Sequence, residues 1–185
     1  MMKIDNDVYL NVPQLQFILN DPTHLLKLGL KSKSPMYLIG HSQGTRKKPP
    51  KPNRQINSKW WMPPYLYNGS HYPVILAGSG YVTTRPAAKC LFNESMHLPF
   101  FHLEDVFLTG FAAENCAIPR FHTNSFHPFG VKFADLKEED ILWHYLNTKS
   151  VTHMHRIFMY NNLLRDYQQL KRQNKTLNPA KKIAC

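Results

Sequence analysis

The chain has 185 residues, of which 43% are hydrophobic and 12% aromatic, with 23 Lys+Arg against 12 Asp+Glu and a formal net charge of +11. This composition belongs to a folded protein with one substantial core and excludes an intrinsically disordered one. No apolar run reaches membrane-spanning length and no signal peptide is visible.

In chain order, residues 3–10 read as a buried strand that carries a tight pair of carboxylates, Asp5 and Asp7, around Asn6. Residues 13–19 read as a short helix capped by Asn11, with Leu15, Ile18 and Leu19 on one face. Asp21-Pro22 stops or kinks it. Residues 36–39 form a short apolar strand. Residues 41–59 make a basic, Pro-containing loop with Ile56 as its one aliphatic residue, long enough to be mobile or functional. An aromatic and proline-dense stretch follows at 60–65, and residues 72–76 then enter Ala77-Gly78-Ser79-Gly80-Tyr81-Val82. The two glycines permit close backbone approach or positive φ. Pro86 begins a helix through Leu91. The apolar run 100–103 delivers Glu104-Asp105 to the head of a helix over 106–115, with Val106, Phe107, Phe111 and Ala113 as its core face. Residues 131–145 contain a strand ending in Ile141-Leu142-Trp143-His144-Tyr145. An amphipathic helix begins near Ser150, with Met154, Ile157, Phe158, Leu164 and Tyr167 at helical spacing. Strands alternate with helices, which makes the class α/β.

The positive charge suggests acidic partners. It is concentrated in 41–59 and in the tail after Leu170, and neither segment interleaves aromatics with its charges. Both read as solvated segments, and no nucleic-acid partner is expected. The cysteines, Cys90, Cys116 and Cys185, are widely spaced and lack a Cys-x-x-Cys pair, which argues against structural zinc. Either one is free or one has lost a partner in a missing segment. Glycosylation sequons at Asn68, Asn93 and Asn174 lean toward the secretory pathway.

Three features carry candidate chemistry. Two acids one residue apart can present hard oxygens to Mg²⁺ or Mn²⁺ and to a sugar hydroxyl. Asp105 is either a helix-start acid stabilised by the macrodipole or a general base for a hydroxyl nucleophile. His144 is either a satisfied core residue or a partner of Asp7 in a metal site. His153 and His155, two apart on a helix, face different ways. The aromatic cluster at 60–67 reads as a hydrophobic lid or core edge before it reads as a sugar-stacking platform.

Taken in order, KIDNDVYLN, SKWWMP, HYPVILAGSGYV, FHLEDVFLTG and a late LWH followed by MHRIF resemble the C-terminal half of the β-1,3-galactosyltransferase and β-1,3-N-acetylglucosaminyltransferase family, glycosyltransferase family 31. The family usually has Asp where this chain has Asn6. The resemblance implies a GT-A-type α/β fold that lacks the N-terminal nucleotide-binding part of its sheet. Residues 1–170 would be the C-terminal part of a catalytic domain and 171–185 a basic tail. It implies an inverting transfer of galactose or an N-acetylhexosamine from a UDP-sugar, with Mn²⁺ or Mg²⁺, to a glycan acceptor on glycoprotein or glycolipid in β-1,3 linkage. Asp7 would be the direct metal ligand, and His144 would help hold metal and diphosphate. Asp5 would serve the ribose or sugar, Asp105 would be the catalytic base, and Gly78 and Gly80 would form a glycine turn beside the acceptor and sugar. It further implies a lumenal Golgi enzyme, membrane-bound through an N-terminal anchor absent from these residues. The alternative is a catalytically dead remnant that only binds a glycan or protein partner. Expressed alone, the 185 residues are expected to be poorly soluble and inactive.

Overall fold

The computed structural model describes residues 1–20, 35–129 and 140–144. The expected helix beyond Ser150, the tail, Asp21-Pro22 and Cys185 lie outside these residues.

The expected single strand over 3–10 is two strands in two different sheets. Strand β1 (Met2–Ile4) ends just before the carboxylates, and β2 (Val8–Leu10) begins just after them. A turn at Asn6-Asp7 separates the two. Both strands are half-buried, not buried, because each lies at the edge of its sheet. Asp and Asn favour turns over strands, since their short side chains compete for backbone hydrogen bonds.

Helix α1 (Val12–Asn20) follows. Asn11 Oδ1 accepts from the Gln14 N–H at 3.3 Å and caps it. Ile18 is buried, with Leu15 and Leu19 packed alongside. Strand β3 (Leu38–Gln43) runs further than its apolar residues suggested, so the basic loop starts after Gln43. That loop is built around Arg54, whose guanidinium donates to the carbonyls of Met62, Tyr67 and Gly69 at 2.7–2.9 Å. Such charge-assisted bonds hold a segment with little secondary structure of its own. Met62 and Tyr72 are buried here with Phe101 and Val106, and Leu66 and Tyr67 pack against them. The region is therefore mainly a core edge.

Strand β4 (Ile75–Thr83) is an inner strand of the first sheet. Its neighbours are β1 and β3, both antiparallel, and the sheet order is β1-β4-β3-β5, with β5 (Arg120–His122) parallel to β3. Gly78 and Gly80 lie inside this strand and not in a turn. Among the described residues, positive φ occurs only at Gly44 and Ala117. Close approach is the reason for Gly80, whereas a Cβ on Gly78 would make only ordinary contacts. A Cβ on Gly80 would come within 2.3 Å of Leu142 Cδ1 and 3.3 Å of Ile4 Cγ2. One on Gly78 would stand 3.4 Å from the Asp105 Cβ.

Helix α2 (Arg85–Ser95) begins with Pro86 in its first turn and buries Ala87 and Leu91 against Leu38, Leu76 and Tyr81. The helix expected over 106–115 is wound as a π-helix over Asp105–Ala112 and completed by α3 (Ala113–Asn115). A π-helix is rare and is often found at functional sites. Thr109 anchors this one. Its hydroxyl donates to the Asp105 carbonyl at 2.6 Å and accepts from the Leu76 N–H at 2.8 Å, which ties the segment to β4.

A second, smaller sheet has the order β2-β7-β6, with β6 at Phe126–His127 and β7 at Leu142–His144. Strands β2 and β7 run antiparallel, with Val8 opposite His144.

Cys90 and Cys116 form a disulfide, so neither of these two is the cysteine expected to be free or to have lost its partner. The bond ties α2 to the segment after α3 and closes a loop of 26 residues. Reduction, or Cys90→Ser, is expected to cost about 2–4 kcal/mol in a urea unfolding titration. An unchanged midpoint would mean the surrounding core holds the two segments without it.

Candidate active site

The register of two strand pairs assembles the site. Asp7 lies in the turn between the sheets, and the Val8–His144 pairing brings the end of β7 beside it. His144 Nε2 lies 3.1 Å from Asp7 Oδ1 and 3.9 Å from Asp5 Oδ2. One ligand atom from each of the three side chains falls within 4.8 Å of the others. His144 Nδ1 is 2.8 Å from the Pro128 carbonyl. A carbonyl can only accept, so Nδ1 carries a proton. In the neutral ring, the Nε2 lone pair then points toward the aspartates. That second hydrogen bond is what orients a metal-ligating histidine.

Two carboxylates and one oriented imidazole suit a divalent cation of the Mn²⁺ or Mg²⁺ kind, since oxygen donors dominate and thiolates are absent from the set.

The second acid pair is carried by the head of the π-helix. Tyr81 lies directly opposite Lys3 in the β1–β4 register, so both side chains project to the same face. Glu104 covers that face. Tyr81 donates its phenol proton to Glu104 Oε1 at 2.5 Å. Burial, then the Glu104 charge, holds that phenol far above its ordinary pKa, so it stays a neutral donor. Asp105 sits beside Gly78, and its Oδ1 accepts from the Val106 N–H at 2.8 Å. Burial raises the Asp105 pKa above the ordinary carboxylate value. Glu104 pushes the same way, while hydrogen bonds from Val106 and Gly78 and the charge of Lys3 only partly oppose it.

Asp5, Asp7 and His144 line one cavity together with Glu104, Asp105 and Gly78. Its volume is about 670 Å³, within the range of small-molecule and cofactor sites. Lys51 and Lys59 lie on its wall, and Lys59 stands 4.6 Å over the exposed Trp60 ring. The structure thus brings together every candidate residue except Gly80, which packs between Ile4 and Leu142.

Sequence reasoning missed Lys3 and Tyr81. Lys3 and Asp5 are two apart on an extended segment and so share a face. That was a readable signal for Lys3. Tyr81 had none, because its role depends on strand pairing.

The cavity thus joins a trio of side chains able to hold a cation, a second pair of acids and two lysines on its wall. Residues 1–124 match the family model described as Galactosyltransferase. Over 158 residues the chain is 28% identical to beta-1,3-galactosyltransferase 1 of Mus musculus and, equally, of Homo sapiens, an alignment that takes in 85% of this chain and 44% of each relative. It is 35% identical over 108 residues to beta-1,3-galactosyltransferase 2 of Homo sapiens, covering 58% of this chain and 23% of that protein. The chain belongs to the galactosyltransferase family, and its mixed α/β architecture is compatible with part of a glycosyltransferase domain. It spans less than half the length of the relatives named.

Proposed function

We propose that these residues form the cation- and acceptor-binding part of a GT-A-type catalytic domain. The enzyme transfers galactose or an N-acetylhexosamine from a UDP-sugar to a glycan acceptor, with inversion and in β-1,3 linkage. The observation that carries this reading is the placement of two distinct acid sets in one cavity: Asp5 and Asp7 with His144, and Glu104-Asp105 on the π-helix. An inverting displacement needs a base near the nucleophile and a positive site near the leaving group.

Asp105 is the base. It takes the proton from the acceptor hydroxyl as that oxygen bonds to the anomeric carbon. The bond from this carbon to the UDP oxygen breaks, and its electron pair stays with the diphosphate. A bound Mn²⁺ or Mg²⁺ would neutralise charge on that diphosphate. Asp7 and His144 would hold the ion, and Lys51 and Lys59 add positive potential to the same wall. Asp5 accepts a hydroxyl of the nucleotide sugar. Gly78 leaves the space beside the Asp105 carboxylate unfilled. The intact set Asp7, His144 and Asp105 favours an active enzyme over a remnant that only binds.

The Cys90–Cys116 disulfide and the exposed sequon residues Asn68 and Asn93 fit an oxidising, lumenal compartment of the Golgi type. Among the described residues, no helix is long and apolar enough to cross a membrane.

The test is transfer of labelled sugar from UDP-galactose and UDP-N-acetylglucosamine by the full-length enzyme with Mn²⁺, with the product anomer read by NMR. A β-linked product is expected from the α-linked donor. An α-linked product would overturn the displacement mechanism.

A further inference from the structure

Lys3 has no part in the chemistry above, yet it lines the same cavity. It donates to Asp5 Oδ1 at 2.6 Å and to the Gly78 carbonyl, and it stands 3.4 Å from Glu104 Oε2. The two aspartates are therefore not equivalent. One oxygen of Asp5 is engaged by an ammonium, while Asp7 turns Oδ1 to the imidazole at 3.1 Å. The other oxygen of Asp5 stops 3.9 Å from the same nitrogen. Three side chains converge closely enough to ligate an ion, and one of them, Asp5, has an oxygen already paired with the Lys3 ammonium.

The geometry points to Lys3 as a positioning residue that holds Asp5 out of the coordination shell of the divalent cation, leaving Asp7 and His144 as ligands and Asp5 as a hydroxyl acceptor. This rests on the cation reading proposed above. The physical case has two parts. An ammonium has three donors and no acceptor, so Lys3 can satisfy Asp5, Gly78 and Glu104 together but cannot itself ligate. Its charge also repels a dication drawn toward Asp5, which makes the shared position costly. Because the same ammonium reaches Glu104, it fixes the head of the π-helix relative to β1. One residue thereby sets the positions of both acid sets. If Lys3 were absent, Asp5 would be released to join Asp7 and His144, and the site would trade sugar recognition for cation affinity.

The experiment is Mn²⁺ titration of the purified full-length enzyme, read by the electron paramagnetic resonance signal of the free ion. Lys3→Met is expected to bind Mn²⁺ about tenfold tighter than the wild type. Lys3→Arg, which keeps the charge, should bind as the wild type does. Asp5→Asn should change the affinity less than about twofold in the wild-type background but remove the whole gain in the Lys3→Met background, a non-additivity expected only if the two residues act on each other. A merely structural lysine would weaken binding and show no such coupling. Unchanged or weaker binding by Lys3→Met overturns the assignment, and so does a tenfold loss in Asp5→Asn alone, which would place Asp5 among the ligands. Should Lys3→Met fail to fold, as checked by circular dichroism, Lys3→Gln with and without Asp5→Asn carries the same test of coupling. Failure of the folded wild type to bind Mn²⁺ at millimolar concentration would instead remove the cation site itself, and the role of Lys3 with it.

Discussion

Asp105→Asn is expected to lower turnover of the full-length enzyme by about 10²–10⁴-fold while leaving donor binding nearly unchanged. The substitution is close to isosteric and keeps an oxygen to accept the Val106 N–H. What it loses is the capacity to take a proton. Because burial holds the Asp105 pKa above the ordinary carboxylate value, the acid limb of kcat/KM should lie above that value too. Below this limb the base is protonated and idle. The same shift carries a stability consequence of known sign. A carboxyl whose pKa is higher folded than unfolded binds more protons in the native state, so stability falls as pH rises from the unfolded value through the folded one. At neutral pH the ionised Asp105 is therefore a cost to the fold. Asp105→Asn should melt at or slightly above the wild-type temperature at pH 7 and show a smaller difference at pH 3. An inactive variant of undiminished stability identifies a functional acid. Wild-type turnover would return Asp105 to the role of a helix-start residue.

Asp7→Ala is expected to reduce Mn²⁺-dependent transfer to background. Asp7 lies in the turn between β1 and β2, exposed and outside the core clusters, so the fold should survive its loss. His144→Ala should act in the same direction but also lose the hydrogen bond to the Pro128 carbonyl, making it the less clean variant. The measurement is initial rate against Mn²⁺ concentration, with circular dichroism as a control. If Asp7→Ala keeps a saturable Mn²⁺ dependence, the ion is held elsewhere.

Much of this site was readable from local sequence. Asn11 as a cap, Pro86 in a first turn and the apolar run leading to Asp105 are short-range signals, and each element appears where they place it. The errors are long-range. Nothing within residues 3–10 shows that β1 pairs with β4 while β2 pairs with β7, because the partners lie roughly 75 and 135 residues away. For Gly78 and Gly80 the sequence offered close backbone approach or positive φ, and the turn came from the resemblance; close approach holds at Gly80, where only strand packing reveals Leu142 and Ile4 as the neighbours. Arg54 was counted with the solvated charges of its loop, although it is the residue that organises it. The disulfide depended on a spatial approach of α2 and the end of α3 that spacing does not reveal. The convergence of Asp7 and His144 came from order of motifs and resemblance, and physical support for it required the β2–β7 register.

The most direct test of the central claim is a crystal of the protein grown with Mn²⁺ and UDP, measured at a wavelength where manganese scatters anomalously. The account predicts one strong anomalous peak bonded to Asp7 and to His144 Nε2, with the diphosphate on its cavity side and the Asp105 carboxylate facing the nucleotide across open space. A manganese peak remote from Asp7 and His144, with UDP bound outside this cavity, would contradict it.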